Sequence, residues 1–239
     1  ENFLMATVAP QHVLLPASLK HRYFVLRHGE SLANVAKIIV SDPAVGVPQY
    51  GLSDAGRAAA GEAGRKLSEL ISPRRLVILA SDFKRTHETA LEVQLKQKAE
   101  TEKDVVDEVF TALQGKVLAR AEGEPPVILV PLLRERHFGE LDGKSSAHYD
   151  DVWKLDRDDP WHETFGAEAP ARVRNRMLTV VNALESQVAQ PLTVLIVSHG
   201  DSLQMLMTAF LGMDVRNHRD VPHLDPADLR ELKRESARL

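Results

Sequence analysis

Two apolar runs in this chain stop on the same pair of residues. Residues 23–26 lead into Arg27-His28-Gly29, and residues 193–197 lead into Ser198-His199-Gly200. Continuous apolar runs of this length fit strands buried on both faces of a parallel sheet. Residues 76–80 and 127–130 read the same way. Helical periodicity fills the intervals. Over 54–70, opened by Ser53 as N-cap, Ala59, Ala63, Leu67, Leu70 and Ile71 share one face, with Ser72-Pro73 as the stop. Over 168–189 the inward set is Val173, Met177, Val180, Val181 and Leu184, and a last helix is expected over 201–211. Such alternation predicts an α/β three-layer sandwich with a mostly parallel central sheet and helices on both faces. Ligands of open α/β sheets bind at the carboxyl ends of the strands, where both histidines fall.

The chemistry of Arg27-His28-Gly29 suits an anion. Arginine offers a fixed fork of donors that matches phosphate, and glycine lets the backbone come close. A neutral imidazole carries a lone pair at physiological pH and can act as a nucleophile. Taken by itself, the triplet reads equally well as a strand end with a solvated Arg-His pair. A second histidine at the equivalent position of another strand argues against idleness.

Composition bounds the rest. A hydrophobic content of 44% and a charged content of 27% over 239 residues fit a soluble globular protein. No repeat, low-complexity segment or linker divides the chain, so one domain over 1–239 is expected. The net charge of −4 gives no global attraction to nucleic acid or an acidic membrane, so any anion site must be local. No apolar run approaches membrane-spanning length. The absence of cysteine excludes disulfides, thiolate metal sites and a cysteine nucleophile, and suits a cytoplasmic location. The opening residues lack the basic and apolar regions of a signal peptide, and Met5 is a candidate natural start.

The order Arg27-His28-Gly29-Glu30-Ser31, Asn34, Ser81…Arg85-Thr86, Glu135 and Ser198-His199-Gly200 resembles the histidine phosphatase superfamily, which includes the cofactor-dependent phosphoglycerate mutases and fructose-2,6-bisphosphatases. The resemblance runs from about residue 23 to residue 211. It implies a phosphoglycerate mutase-like fold and gives each motif a role. His28 is then the nucleophile that becomes phosphohistidine. Arg27, Arg85 and His199 hold the phosphoryl oxygens, and Glu135 is the general acid. Gly29, Ser31, Asn34, Arg136 and Gly200 are candidate substrate contacts. Two further acids near Glu135, Glu140 and Asp142, are as readily chance residues of a polar loop.

A loop with two prolines and two glycines is expected over 41–51. Residues 92–124 look like an insertion of one or two amphipathic helices, with Val105, Val106, Val109, Phe110, Leu113, Val117 and Leu118 at helical spacing; it serves the core, a homodimer face or an active-site cover. The acidic stretch 150–161 reads as loop, and its shortness favours the phosphatase branch over the mutases. The tail has helix-forming composition over 229–238, but the resemblance implies an edge strand over 228–233, and the strand is expected.

Phosphoryl transfer needs in-line attack, a clamp for the equatorial oxygens and a proton for the leaving group. A clamp of Arg27, Arg85 and His199 needs no metal and no other cofactor, and the ten histidines show no His-x-x-x-His or Glu-x-x-His pair for zinc. The expected activity is hydrolysis of a small phosphorylated metabolite. The alternatives are a cofactor-dependent phosphoglycerate mutase, which Glu135-Arg136-His137-Phe138-Gly139 resembles locally, and a catalytically silent phosphoester-binding domain.

Overall fold

The computed structural model describes residues 12–71, 75–97, 101, 103–121 and 125–234, with only the backbone of 119–121. The candidate start at Met5, the Ser72-Pro73 helix stop, parts of the 92–124 segment and the end of the tail lie outside the described residues.

Six strands form one mixed sheet: β1 (Arg22–Arg27), β2 (Leu76–Ala80), β3 (Ala119–Ala121), β4 (Val127–Leu129), β5 (Thr193–Ser198) and β6 (Leu229–Leu232), in the spatial order β3-β4-β2-β5-β1-β6. The four middle strands are parallel, and β3 and β6 close the two edges antiparallel. Side chains alternate across the sheet. Tyr23, Val25, Val77, Leu79, Val194 and Ile196 face one core, and Phe24, Leu26, Leu76, Ile78, Leu195 and Val197 face another. Helices α3 (Asp54–Leu70) and α4 (Lys84–Gln94) cover the second face. Helices α5 (Lys103–Ala112), α7 (Pro170–Gln187) and α8 (Gly200–Phe210) cover the first. Each fully buried Leu, Ile or Phe of these layers contributes roughly 1.5–3 kcal/mol of transfer free energy.

The pairing of β1 with β5 aligns Arg27 with Ser198, so His28 and His199 leave the sheet side by side. Tight backbone contact fixes the turn after β1. A Cβ on Gly29 would sit 2.4 Å from the carbonyl oxygen of Gly56, and one on Gly56 would sit 2.0 Å from that of Glu30. Only glycine at both positions lets the start of α3 approach the loop that carries His28.

Several expectations need correction. The buried face of α3 is Gly56, Ala60, Ala63, Gly64 and Leu67; Leu70 is exposed and Ala59 only half-buried, because the helix rotates its smallest residues toward α4. The 41–51 loop contains a one-turn helix, α2 (Pro43–Gly46), capped by Asp42. The 92–124 segment is not purely helical: α5 buries Val105, Val106 and Val109, but β3 follows, pairing with β4. Phe110 and Leu118 lie outside the core. The first part of the acidic stretch is helical, as α6 (Tyr149–Asp156), with Asp150 and Asp151 in the first turn, where the helix dipole favours them, and Lys154 in the last; residues 157–161 are turn and loop, as expected. The edge strand expected in the tail is present as β6.

Candidate active site

The ends of β1, β2 and β5 bring His28, Arg85 and His199 into one buried group. His28 Nδ1 lies 2.8 Å from the Gly29 carbonyl oxygen, which can only accept, so this nitrogen carries the proton. The lone pair is therefore on Nε2. Arg85 Nε donates toward that atom at 3.2 Å and toward His199 Nδ1, also at 3.2 Å. His199 in turn donates from Nε2 to Ser81 Oγ at 3.0 Å. The two imidazoles stand edge to face, with centroids 5.2 Å apart, and Phe83 meets His199 in the same way.

Arg85 is fixed at three further points. Its Nη2 donates to the Val40 carbonyl at 2.9 Å, its guanidinium lies 4.9 Å from the Phe83 ring centre, and its own carbonyl accepts from Thr89 Oγ1 at 2.6 Å. Thr89 Oγ1 also accepts the Gly29 N–H at 3.0 Å, tying α4 to the loop after β1. Arg27 is held by Nη1, which reaches the Leu224 carbonyl at 2.7 Å and His223 Nε2 at 3.0 Å. At this site two buried donors have no partner among the described residues, Arg27 Nε and Arg85 Nη1. Buried polar groups of folded proteins are normally satisfied, so a pair of orphaned guanidinium donors beside two histidines fits an anionic ligand.

The electrostatics agree. Burial and the charges of Arg85 and Arg27 push His28 well below the ordinary histidine value of 6.5, and burial and Arg85 do the same to His199. Burial lowers Arg85 to about 10, against the opposing pull of Glu135 and Tyr149. At neutral pH the pocket thus holds two neutral imidazoles and two guanidinium cations.

Glu135 approaches from the segment after β4. Its Oε1 accepts from Arg136 N–H at 3.0 Å, Ser202 Oγ at 3.1 Å and Ser202 N–H at 3.4 Å. Burial and the carboxylate of Asp201 raise its pKa, and Arg85 partly offsets them. A carboxyl group held above its ordinary range is suited to giving and taking a proton.

The other expected contacts divide. Gly200 opens α8 beside Arg27, whose Nε would lie 3.4 Å from a Cβ there. Gly29 is at the site, but Thr89 occupies its N–H. Ser31 and Asn34 form the capping box of a short helix, α1 (Leu32–Ala36), and Asn34 is exposed. Arg136 is fully buried, with Nη1 and Nη2 each 2.7 Å from Asp156 and Nε 2.7 Å from the Glu168 carbonyl, so its donors face inward. Asp142 is spent on the Ser41 N–H and hydroxyl and the Asp42 N–H, and Glu140 is exposed. Sequence reasoning overlooked Tyr149, which lies within electrostatic reach of Glu135, Arg85 and Arg27, its ring between Phe138 and Trp153. It opens α6, one residue ahead of the stretch expected as loop. Among the described residues, no three histidine or acidic side chains are placed to hold a metal ion.

A family model described as "Histidine phosphatase superfamily (branch 1)" matches residues 23–116 and 112–239. The chain belongs to this superfamily. One curated member, the 2,3-bisphosphoglycerate-dependent phosphoglycerate mutase of Bartonella henselae, is 23% identical over 196 residues, covering 80% of this chain and 81% of its own. Among solved structures, a mycobacterial glucosyl-3-phosphoglycerate phosphatase complexed with VO3 has a TM-score of 0.62 at 20% identity, covering 88% of this chain and 90% of that one. A putative alpha-ribazole-5'-P phosphatase from Escherichia coli has a TM-score of 0.59 at 18% identity, covering 88% and 89%. These structures share the superfamily's fold, a central mixed sheet flanked by helices.

Proposed function

We propose that the protein is a phosphomonoesterase that hydrolyses a small phosphorylated metabolite through a phosphohistidine at His28. The observation that carries this reading is the tautomer of His28: with Nδ1 bound to the Gly29 carbonyl, the Nε2 lone pair faces the donors of Arg85. In the first step, Nε2 attacks phosphorus, the P–O ester bond breaks, and Glu135 passes its proton to the departing oxygen. In the second, Glu135 takes a proton from water, the resulting hydroxide attacks phosphorus, and the N–P bond breaks. Arg27 and Arg85 stabilise the charge spread over the equatorial oxygens in both steps. His199 accepts from Arg85 through Nδ1 and so keeps Arg85 Nε in place for those oxygens. The site needs no metal in this scheme.

The phosphatase reading is supported by the similar folds of a glucosyl-3-phosphoglycerate phosphatase and a putative alpha-ribazole-5'-P phosphatase. The mutase reading is supported by the curated relative. Phosphate release from a panel of phosphorylated metabolites tests the first. Conversion of 3-phosphoglycerate to 2-phosphoglycerate without phosphate release identifies the second.

A further inference from the structure

From Leu132 to Glu135 every backbone carbonyl is held. Arg176 Nη1 donates to those of Leu132 and Arg134 at 2.7 and 2.8 Å, and its Nη2 to that of Glu135 at 3.1 Å. Ser198 Oγ donates to the Leu133 carbonyl at 2.7 Å. Ser202, fully buried in the first turn of α8, touches both this segment and the carboxyl group it carries. Its hydroxyl lies 3.0 Å from the Arg134 carbonyl and 3.1 Å from Glu135 Oε1, and its N–H lies 3.4 Å from the same Oε1. Oε1 also accepts the Arg136 N–H at 3.0 Å, from a residue whose guanidinium is fixed on Asp156 and the Glu168 carbonyl.

The two oxygens of Glu135 are therefore unlike. Backbone N–H groups can only donate, so Oε1 must accept whether or not the carboxyl is ionised, and the acid proton belongs on Oε2. Oε2 accepts no hydrogen bond from a described residue. The Ser202 hydroxyl has one hydrogen and two acceptors in reach. The Arg134 carbonyl keeps Arg176 when that hydrogen turns away, whereas an ionised Oε1 gains a charge-assisted bond from it. We propose that Ser202 is a positioning residue for Glu135: it fixes Oε1 as the acceptor, leaves the proton on Oε2 for the leaving oxygen, and turns its hydroxyl from the Arg134 carbonyl to Oε1 as that proton departs. This role rests on the proton transfer assigned to Glu135.

Removing the hydroxyl has a defined sign. Within electrostatic reach of Glu135 stand Asp201 from α8, Arg85 from α4, Arg27 at the end of β1 and Tyr149 from α6, and all of them remain when the hydroxyl is gone. A donor bonded to the anion favours ionisation, so its loss keeps Glu135 protonated to higher pH.

The test compares Ser202→Ala, Ser202→Cys, which has nearly the same shape but a weak donor, and Ser202→Thr, which keeps the hydroxyl, with Glu135→Gln alongside. Values of kcat and KM are measured across pH on an alkyl phosphate and on p-nitrophenyl phosphate, and vanadate inhibition reports an intact clamp. Losing one hydrogen bond to a charged group should lower kcat on the alkyl ester by roughly tenfold or more in the first two variants. KM and vanadate inhibition should hold, the nitrophenyl ester should change little, and the basic limb of the alkyl-ester profile should move to higher pH. Ser202→Thr should keep the wild-type ratio of the two esters and the wild-type limb. Equal losses on both esters with an unmoved limb, in a variant that vanadate still inhibits, would overturn the proposal, and so would a change shared by Ser202→Thr. Equal losses in Glu135→Gln would overturn the proton-donor reading itself, and the proposal with it.

Discussion

Nε of Arg85 lies 3.2 Å from Nε2 of His28, the nitrogen left without a proton by the Gly29 carbonyl. The contact aims the imidazole and places a cation where the phosphoryl oxygens would bind. Arg85→Ala should therefore depress every phosphate ester alike, since all present the same oxygens. The expected loss in kcat/KM is about 10²–10³-fold, as for removal of one preorganised donor. Measuring an alkyl phosphate and p-nitrophenyl phosphate side by side checks it.

Glu135 should behave differently. An alkoxide leaving group is strongly basic and needs a proton, whereas nitrophenolate barely does. Glu135→Gln should cost the alkyl ester most of the ~10²–10⁴-fold available from general acid catalysis, and the nitrophenyl ester much less. Equal losses would remove Glu135 from this role. Glu140 and Asp142, the other acids nearby, offer weak replacements: the first is exposed and the second is engaged with Ser41 and Asp42.

Stability should fall on the acid side because of the two histidines. Both have folded-state pKa values lowered from 6.5, so below that pH the unfolded chain binds more protons than the folded one. Their contribution is present above 6.5 and is lost as pH falls. Glu135 has the opposite sign: raised from 4.5, it adds stability as pH falls through its folded-state value, fully so below 4.5. Thermal midpoints between pH 7.5 and 5 should decline, with a shallower slope in His199→Gln. An unchanged slope in that variant would show that His199 is not held neutral.

The clamp should work without metal. Activity should survive exhaustive dialysis against a chelator, and vanadate, which imitates the five-coordinate phosphoryl group, should inhibit. Loss of activity in chelator that zinc or magnesium restores would contradict a site built of Arg27, Arg85 and His199.

The candidate site was legible in the sequence in two ways: apolar runs point to His28 and His199, while Arg85 and Glu135 were singled out by the family resemblance. Arg27-His28-Gly29 and Ser198-His199-Gly200 mark the ends of β1 and β5, and a strand run names its own end. What could not be read depends on contacts between distant segments. Arg136 was a candidate substrate contact; that it turns inward depends on Asp156, in a helix that charge content disguised as loop. Tyr149, one residue ahead of that stretch, belongs to no motif, and only the fold brings it near Glu135. β3 is a three-residue edge strand that exists through its pairing with β4, and so short an element leaves little period to find.

The central claim is that His28 carries the phosphoryl group, and covalent trapping tests it most directly. Phosphohistidine is acid-labile and alkali-stable. The enzyme should be mixed with a phosphorus-labelled substrate, quenched in alkali within one turnover, digested and mapped. The account predicts a base-stable phosphoryl adduct on the peptide containing His28, absent from His28→Ala, which should also be inactive. An adduct on another residue, or full activity in His28→Ala, would contradict it.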